Sequence, residues 1–294
     1  MKKQLTKTVL IETIPKNLCY LLIIVYLVFP FLNAWAAPQR IVSLAPSVTE
    51  IIYALGAGDL VVGVTSYSDY PPEAKQKPKV GTFLHPSLEA IVNLKPDLVI
   101  ALSETNPPRV LNRLRDLNIP LLILKSGGLN TIWENIITTG NALGKGKEAN
   151  FLVARLQKEL HALTQQVKGL PKPKVFFQIG YRPLVTCGAS AYHHELITLA
   201  GGINIAAEEK AAYPVFSLEK VITANPDVII VSTMEKQTQA IKAFWAKFSQ
   251  ISAVRNNRVY VVNSDFFDRP SPRVVEALKI LIKLLHKEPV MGKE

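Results

Sequence analysis

With only two cysteines in 294 residues, this chain has no material for a disulfide framework. Cys19 lies at the very start of an apolar N-terminal run, so it cannot be the lipid-carrying cysteine of a lipoprotein, which would follow that run. Cys187 is then the only thiol of the remaining chain, and its expected role is a small apolar filler. Histidine is scarce as well: five residues, two of them adjacent, speak against a dedicated zinc site. His85 and the His193/His194 pair are expected on exposed loops, with ligation of a haem or cobalt centre as the alternative. The motifs of nucleotide and acyl chemistry are missing, because there is no G-x-S-x-G elbow, no P-loop and no complete G-x-G-x-x-G; Gly56-Ala57-Gly58 lacks the third glycine. His193-His194-Glu195 follows the H-E-x-x-H zinc pattern only until Thr198. Like-charged blocks are absent too. The formal net charge is +11, but Lys and Arg are scattered, which excludes a nucleic-acid arm.

One long apolar run is present, from Leu18 to Leu32. It follows Lys2, Lys3, Lys7 and Lys16 and ends at Ala34-Trp35-Ala36. This order reads as a secretory signal peptide over residues 1–36, with the mature chain starting at Ala37 in the periplasm; a retained anchor is the alternative.

Beyond it, short β-branched runs alternate with helical stretches. Strands are expected at Arg40–Leu44, Leu60–Thr65, Asp97–Ala101, Ile119–Leu124, Val175–Ile179, Asp227–Ser232 and Arg258–Val262. Such alternation implies an α/β fold with mainly parallel sheets. Ser47 to Glu50 has the spacing of a capping box, and Ser271-Pro272 reads as the start of a last helix. From Lys147 to Lys168, Leu152, Leu156, Leu160, Leu163 and Val167 recur at helical spacing with no Gly or Pro, which predicts one long helix ended by Gly169. The organisation is therefore an N-terminal α/β lobe (37–146), a bridging helix (147–169) and a C-terminal α/β lobe (170–294).

An internal echo supports two similar lobes. Ser87-Leu88-Glu89 leads through Lys95-Pro96-Asp97 into an apolar run, and Ser217-Leu218-Glu219 leads through Asn225-Pro226-Asp227 into another. Each copy predicts a Ser N-cap, a short helix, a Pro and a buried strand. Glu89 and Glu219 hold equivalent places, where a carboxylate complements a helix dipole or meets one of two equivalent basic sites on a partner. Ligands of open α/β sheets bind beyond the carboxyl ends of the strands. Aromatic residues gather there: Tyr67, Tyr70, Phe83, Tyr181, Tyr213, Phe266 and Phe267, interleaved with Asp69, Asp265 and Arg269. Together they predict a cleft for a large amphipathic ligand.

These residues carry a resemblance. From about Arg40 to Leu285 the chain resembles the periplasmic cobalamin-binding proteins of ABC importers, class III periplasmic binding proteins. The likeness rests on Ser66-Tyr67-Ser68-Asp69-Tyr70-Pro71-Pro72, on Leu88-Glu89 with Leu94-Lys95-Pro96-Asp97-Leu98-Val99-Ile100-Ala101, and on Ser264-Asp265-Phe266-Phe267-Asp268-Arg269-Pro270-Ser271-Pro272-Arg273. It implies two Rossmann-like lobes joined by a long helix, capture without catalysis, and a corrinoid carried as transported ligand rather than cofactor. It assigns Tyr67, Phe83, Tyr213, Asp265, Phe266, Phe267, Asp268 and Arg269 to the ligand. Glu89 and Glu219 would dock on a dimeric inner-membrane permease, with the binding protein itself a monomer. Phe83 and Tyr213 stand where the best-known members carry Trp, Leu102 where a further Trp is expected, and Ala200 where one disulfide partner would lie. This thinner aromatic wall leaves corrinoid, haem and ferric siderophore open as ligands. A secreted α/β enzyme using Asp265, His193 or Tyr67 is the alternative of a different class, and no motif supports it.

Overall fold

The structure, a computed structural model, describes residues 37–233 and 238–286. The segment read as a signal peptide lies outside them. No helix among the described residues is long and apolar enough to cross a membrane.

The first half builds β1 (Ile41–Ser43), α1 (Pro46–Ala54), β2 (Val61–Val64), α2 (Leu88–Asn93), β3 (Leu98–Leu102), α3 (Pro108–Asp116), β4 (Leu121–Leu124) and α4 (Leu129–Ala142). Its strands pair in the order β2-β1-β3-β4, all parallel. β3 is buried along its whole length, which explains why its sequence, LVIAL, is apolar without alternation. α5 (Gly146–Gln166) follows as a single helix and buries Ala149, Leu152, Val153, Leu156 and Leu160, much of the stripe that its spacing predicts. Each leucine so buried contributes about 2 kcal/mol.

The second half continues with β5 (Lys174–Gly180), β6 (Val185–Thr186), α6 (Tyr192–Leu199), β7 (Ile203–Asn204), α7 (Leu218–Ala224), β8 (Val228–Thr233), α8 (Thr238–Trp245), α9 (Ser252–Arg255), β9 (Val259–Asn263), α10 (Ser264–Phe267) and α11 (Val274–Leu285). Here the order is β6-β5-β8-β9, with β7 also on β5 and only β6 antiparallel. The largest core cluster joins Ile51 of α1, Trp133 of α4, Leu156 of α5, Phe177 of β5 and Leu278 of α11. One apolar core cluster thus spans both halves and the long helix.

The sequence echo is also a structural one. Ser87 Oγ accepts from Ala90 N and Ser217 Oγ from Lys220 N, each at 3.2 Å. Both copies then place a left-handed residue before the proline, Lys95 at φ 47° and Asn225 at φ 46°. Asp97 accepts from Arg40 N at 2.9 Å and Asp227 from Lys174 N at 2.8 Å, so each carboxylate ties the start of the neighbouring strand.

Two local expectations are corrected. α1 starts at Pro46, whose fixed φ suits the first helical position, so Ser47 and Glu50 lie inside the helix and form no capping box. α11 starts at Val274, not Pro272, with Arg273 as its N-cap; Ser271 Oγ still accepts from Arg273 N at 3.2 Å while it donates to Glu50 at 2.6 Å.

Cys187 is fully buried in the same core cluster as Ala200, and burial pushes its thiol up to about 12. At pH 8 it should therefore stay unmodified by iodoacetamide in the native protein and react once unfolded in guanidinium, read by peptide mass. Rapid labelling of the native chain would contradict this placement.

Candidate functional site

A cleft of about 770 Å³ opens between the carboxyl ends of the two sheets. The end of β3 supplies Leu102 and the loops after β1 to β4 supply Pro46, Tyr67, Glu104 and Ser126, while the facing wall holds Ile179, Tyr192, His193, Tyr213, Ser264, Asp268 and Arg269. Its surface is mostly apolar, as a large amphipathic ligand requires.

Buried hydroxyls position Tyr67. Ser68 Oγ lies 2.9 Å from Thr65 Oγ1 and accepts from Thr49 Oγ1 at 3.0 Å, so the turn carrying Tyr67 is fixed from below. The Tyr67 ring stands exposed, 6.0 Å from Phe83. Phe83 is held in turn by Asn106, whose amide donates to the carbonyls of Phe83 and Leu44 at 2.9 Å while its Oδ1 accepts from Leu102 N. Leu102, at the end of β3, is part of the same wall. Glu104 accepts from Ser126 N at 2.8 Å; burial alone would raise its carboxyl, but hydrogen bonds from Ser103 and Ser126 outweigh that and hold it below the usual range.

The segment after β9 separates into distinct roles. α10 is one helical turn, so Ser264 and Asp268, four apart, share the cleft face. Phe267 points the other way, fully buried with its ring 5.6 Å from Phe177. Phe266 packs beneath the Arg273 guanidinium at 4.3 Å, and Asp265 pairs with Arg269; neither lines the cleft. The structure thus brings Tyr67, Phe83, Tyr213, Asp268 and Arg269 together and leaves Asp265, Phe266 and Phe267 outside. Of the other loop aromatics, Tyr70 stacks on Arg273 at 4.1 Å and Tyr181 meets Phe244 edge-on at 5.2 Å.

Arg269 also joins the lobes. It reaches Asp69 at 2.6 Å and Glu50 at 3.4 Å, and Arg273 reaches Glu50 at 3.2 Å. Burial raises the Glu50 carboxyl above its usual range, against the lowering effects of Ser271, Arg273 and Arg269.

His193 departs most from expectation. Rather than sitting on an exposed loop, it is a buried residue of the first turn of α6, with Nε2 3.3 Å from Asp268 Oδ1. Asp268 Oδ2 in turn accepts from Ser232 Oγ at 2.9 Å. Tyr192, beside it, also lines the cleft. The sequence offered one signal for the pair, polar and aromatic residues opening an apolar helix after a strand. His85 does lie in an exposed loop.

Glu89 and Glu219 are the second residues of α2 and α7, both exposed, one in each half. The Glu219 carboxyl is held below its usual range by its own backbone N–H and by the Ser217 hydroxyl.

The periplasmic binding protein family model matches residues 41–266. A vitamin B12-binding protein of Vibrio campbellii is 35% identical over 262 residues, 89% of this chain and 94% of that protein. The crystal structure of the periplasmic vitamin B12 binding protein BtuF of Vibrio cholerae aligns with a TM-score of 0.74 at 34% identity, covering 85% of this chain and 97% of that one. The periplasmic heme-binding protein RhuT of Roseiflexus aligns at 0.77 with 31% identity, over 84% and 98%. With two α/β halves about one long helix and a cleft between their sheets, the chain belongs to the periplasmic binding protein family.

Proposed function

We propose that this protein captures a corrinoid such as cobalamin in the periplasm and delivers it to an ABC importer, acting as a monomer and without catalysis. The observation that carries the reading is the mainly apolar cleft lined by Tyr67, Phe83 and Tyr213. The named function of the Vibrio relatives supports the same ligand. Tyr67, Phe83, Tyr213, Asp268 and Arg269 are its proposed contacts. Glu89 and Glu219 are the proposed docking acids for a dimeric permease, which would present one basic site per subunit.

Titration calorimetry should show one cyanocobalamin bound per chain. Tyr67→Ala should weaken binding about tenfold, the loss of one large stacked ring. Haem is the second reading, favoured by the likeness to RhuT. Tight haem binding with no measurable cyanocobalamin binding would decide for it.

A further inference from the structure

Buried polar atoms in folded proteins are almost always paired, so an unpaired group that faces a ligand cleft marks a place where the ligand supplies the partner. Among the described residues, Thr105 Oγ1, Tyr192 OH, His193 Nδ1 and Ser264 Oγ are buried without a partner, and all four belong to residues that line the cleft. Three of them surround Asp268. The His193 and Tyr192 ring centroids are 4.1 Å apart, and Ser264 is one turn before Asp268, its carbonyl accepting from Asp268 N at 2.7 Å.

We propose that Asp268 and His193, with the Tyr192 and Ser264 hydroxyls, form the receptor for a carboxamide group on the ligand's rim, and that this receptor selects against carboxylate in its place. The chemistry matches group by group. In the tautomer that gives Nε2–H to Asp268, His193 presents Nδ1 as an acceptor, and Asp268 keeps free lone pairs on both oxygens. These acceptors suit an amide N–H₂, while the two hydroxyls suit its carbonyl. A carboxylate supplies acceptors alone and brings a negative charge next to Asp268, in a cleft that Glu104 also lines. Arg269 is the one Lys or Arg among the residues lining the cleft, and Asp69, Asp265 and Glu50 already hold its guanidinium. The inference rests on the corrinoid reading and deepens it, since a corrin rim carries acetamide and propionamide arms whereas haem carries two propionates.

The test compares cyanocobalamin, its monocarboxylic acids (one rim amide hydrolysed to the acid) and haemin by titration calorimetry on the exported chain. Wild type should bind cyanocobalamin at least about tenfold tighter than one of the monoacids, the value of one lost hydrogen bond with an added like charge. Asp268→Asn should narrow that ratio to within about threefold. His193→Phe should weaken cyanocobalamin about tenfold, and His193→Gln, which restores an acceptor, should recover most of it. Melting curves identify any variant that fails to fold, and the wild-type amide-to-acid ratio stands without them. Equal affinity of wild type for amide and acid forms, or an unchanged ratio in folded Asp268→Asn, overturns the inference while the corrinoid reading survives. Haemin binding without cyanocobalamin binding overturns both.

Discussion

Replacing Glu89 and Glu219 together with alanine should cut permease-dependent ligand uptake at least about 100-fold, while ligand Kd stays within about twofold and thermal stability barely changes. The acids are exposed and absent from the walls of the cleft. Their geometry is repeated: each follows a Ser N-cap that accepts at 3.2 Å, so each carboxylate projects from the first turn of a short helix. An exposed ion pair alone is worth about 1 kcal/mol or less. Two that form together gain from the second being intramolecular, which multiplies rather than adds their effects on assembly. Single substitutions should therefore cost about tenfold each. If the acids served only the helix dipoles, the outcome would reverse, with about 0.3–1 kcal/mol of stability lost per site and uptake intact. Full uptake by the double variant, measured with radiolabelled ligand in cells or permease-containing vesicles, would refute docking.

Much of this architecture was legible because it depends on local rules. Alternating strand and helix patterns gave the parallel sheets, the leucine spacing gave α5, and the echo gave the matched Ser caps. The cleft was legible for the same reason, since strand ends sit where the topology puts them. What escaped depended on orientation. Asp265 to Phe267 read as a loop, and a loop carries no period; only the helical turn of α10 assigns Phe267 to the core and Asp268 to the cleft. His193 escaped because a histidine opening a helix is usually solvated, and its partner lies 75 residues away. Ser47 to Glu50 misled because the capping pattern is short, and Pro46 sets an earlier helix start. The partners of Glu50 come from more than 200 residues further along, beyond any local pattern.

That long-range contact supports the second large effect. Glu50→Ala should destabilise the protein by about 3–5 kcal/mol, because it leaves the Arg269 and Arg273 guanidiniums in a partly dry interface without their shared carboxylate. For a chain of this size, that is a drop in Tm of about 6–20 °C. Glu50→Gln should be much milder at neutral pH. It keeps an oxygen for the Ser271 hydroxyl, and a neutral side chain does not suffer the burial that raises the Glu50 carboxyl. The pH dependence has a definite sign. A carboxyl raised in the folded state contributes stability that is fully present below its unfolded value of 4.5 and is lost as pH rises through the folded value. The deficit of Glu50→Gln relative to wild type should therefore be largest in acid and shrink as pH increases. Denaturant melts of the three proteins between pH 4 and 8 test both parts. A cost below about 1 kcal/mol for Glu50→Ala would mean that the shared apolar core, rather than this ion network, holds the lobes together.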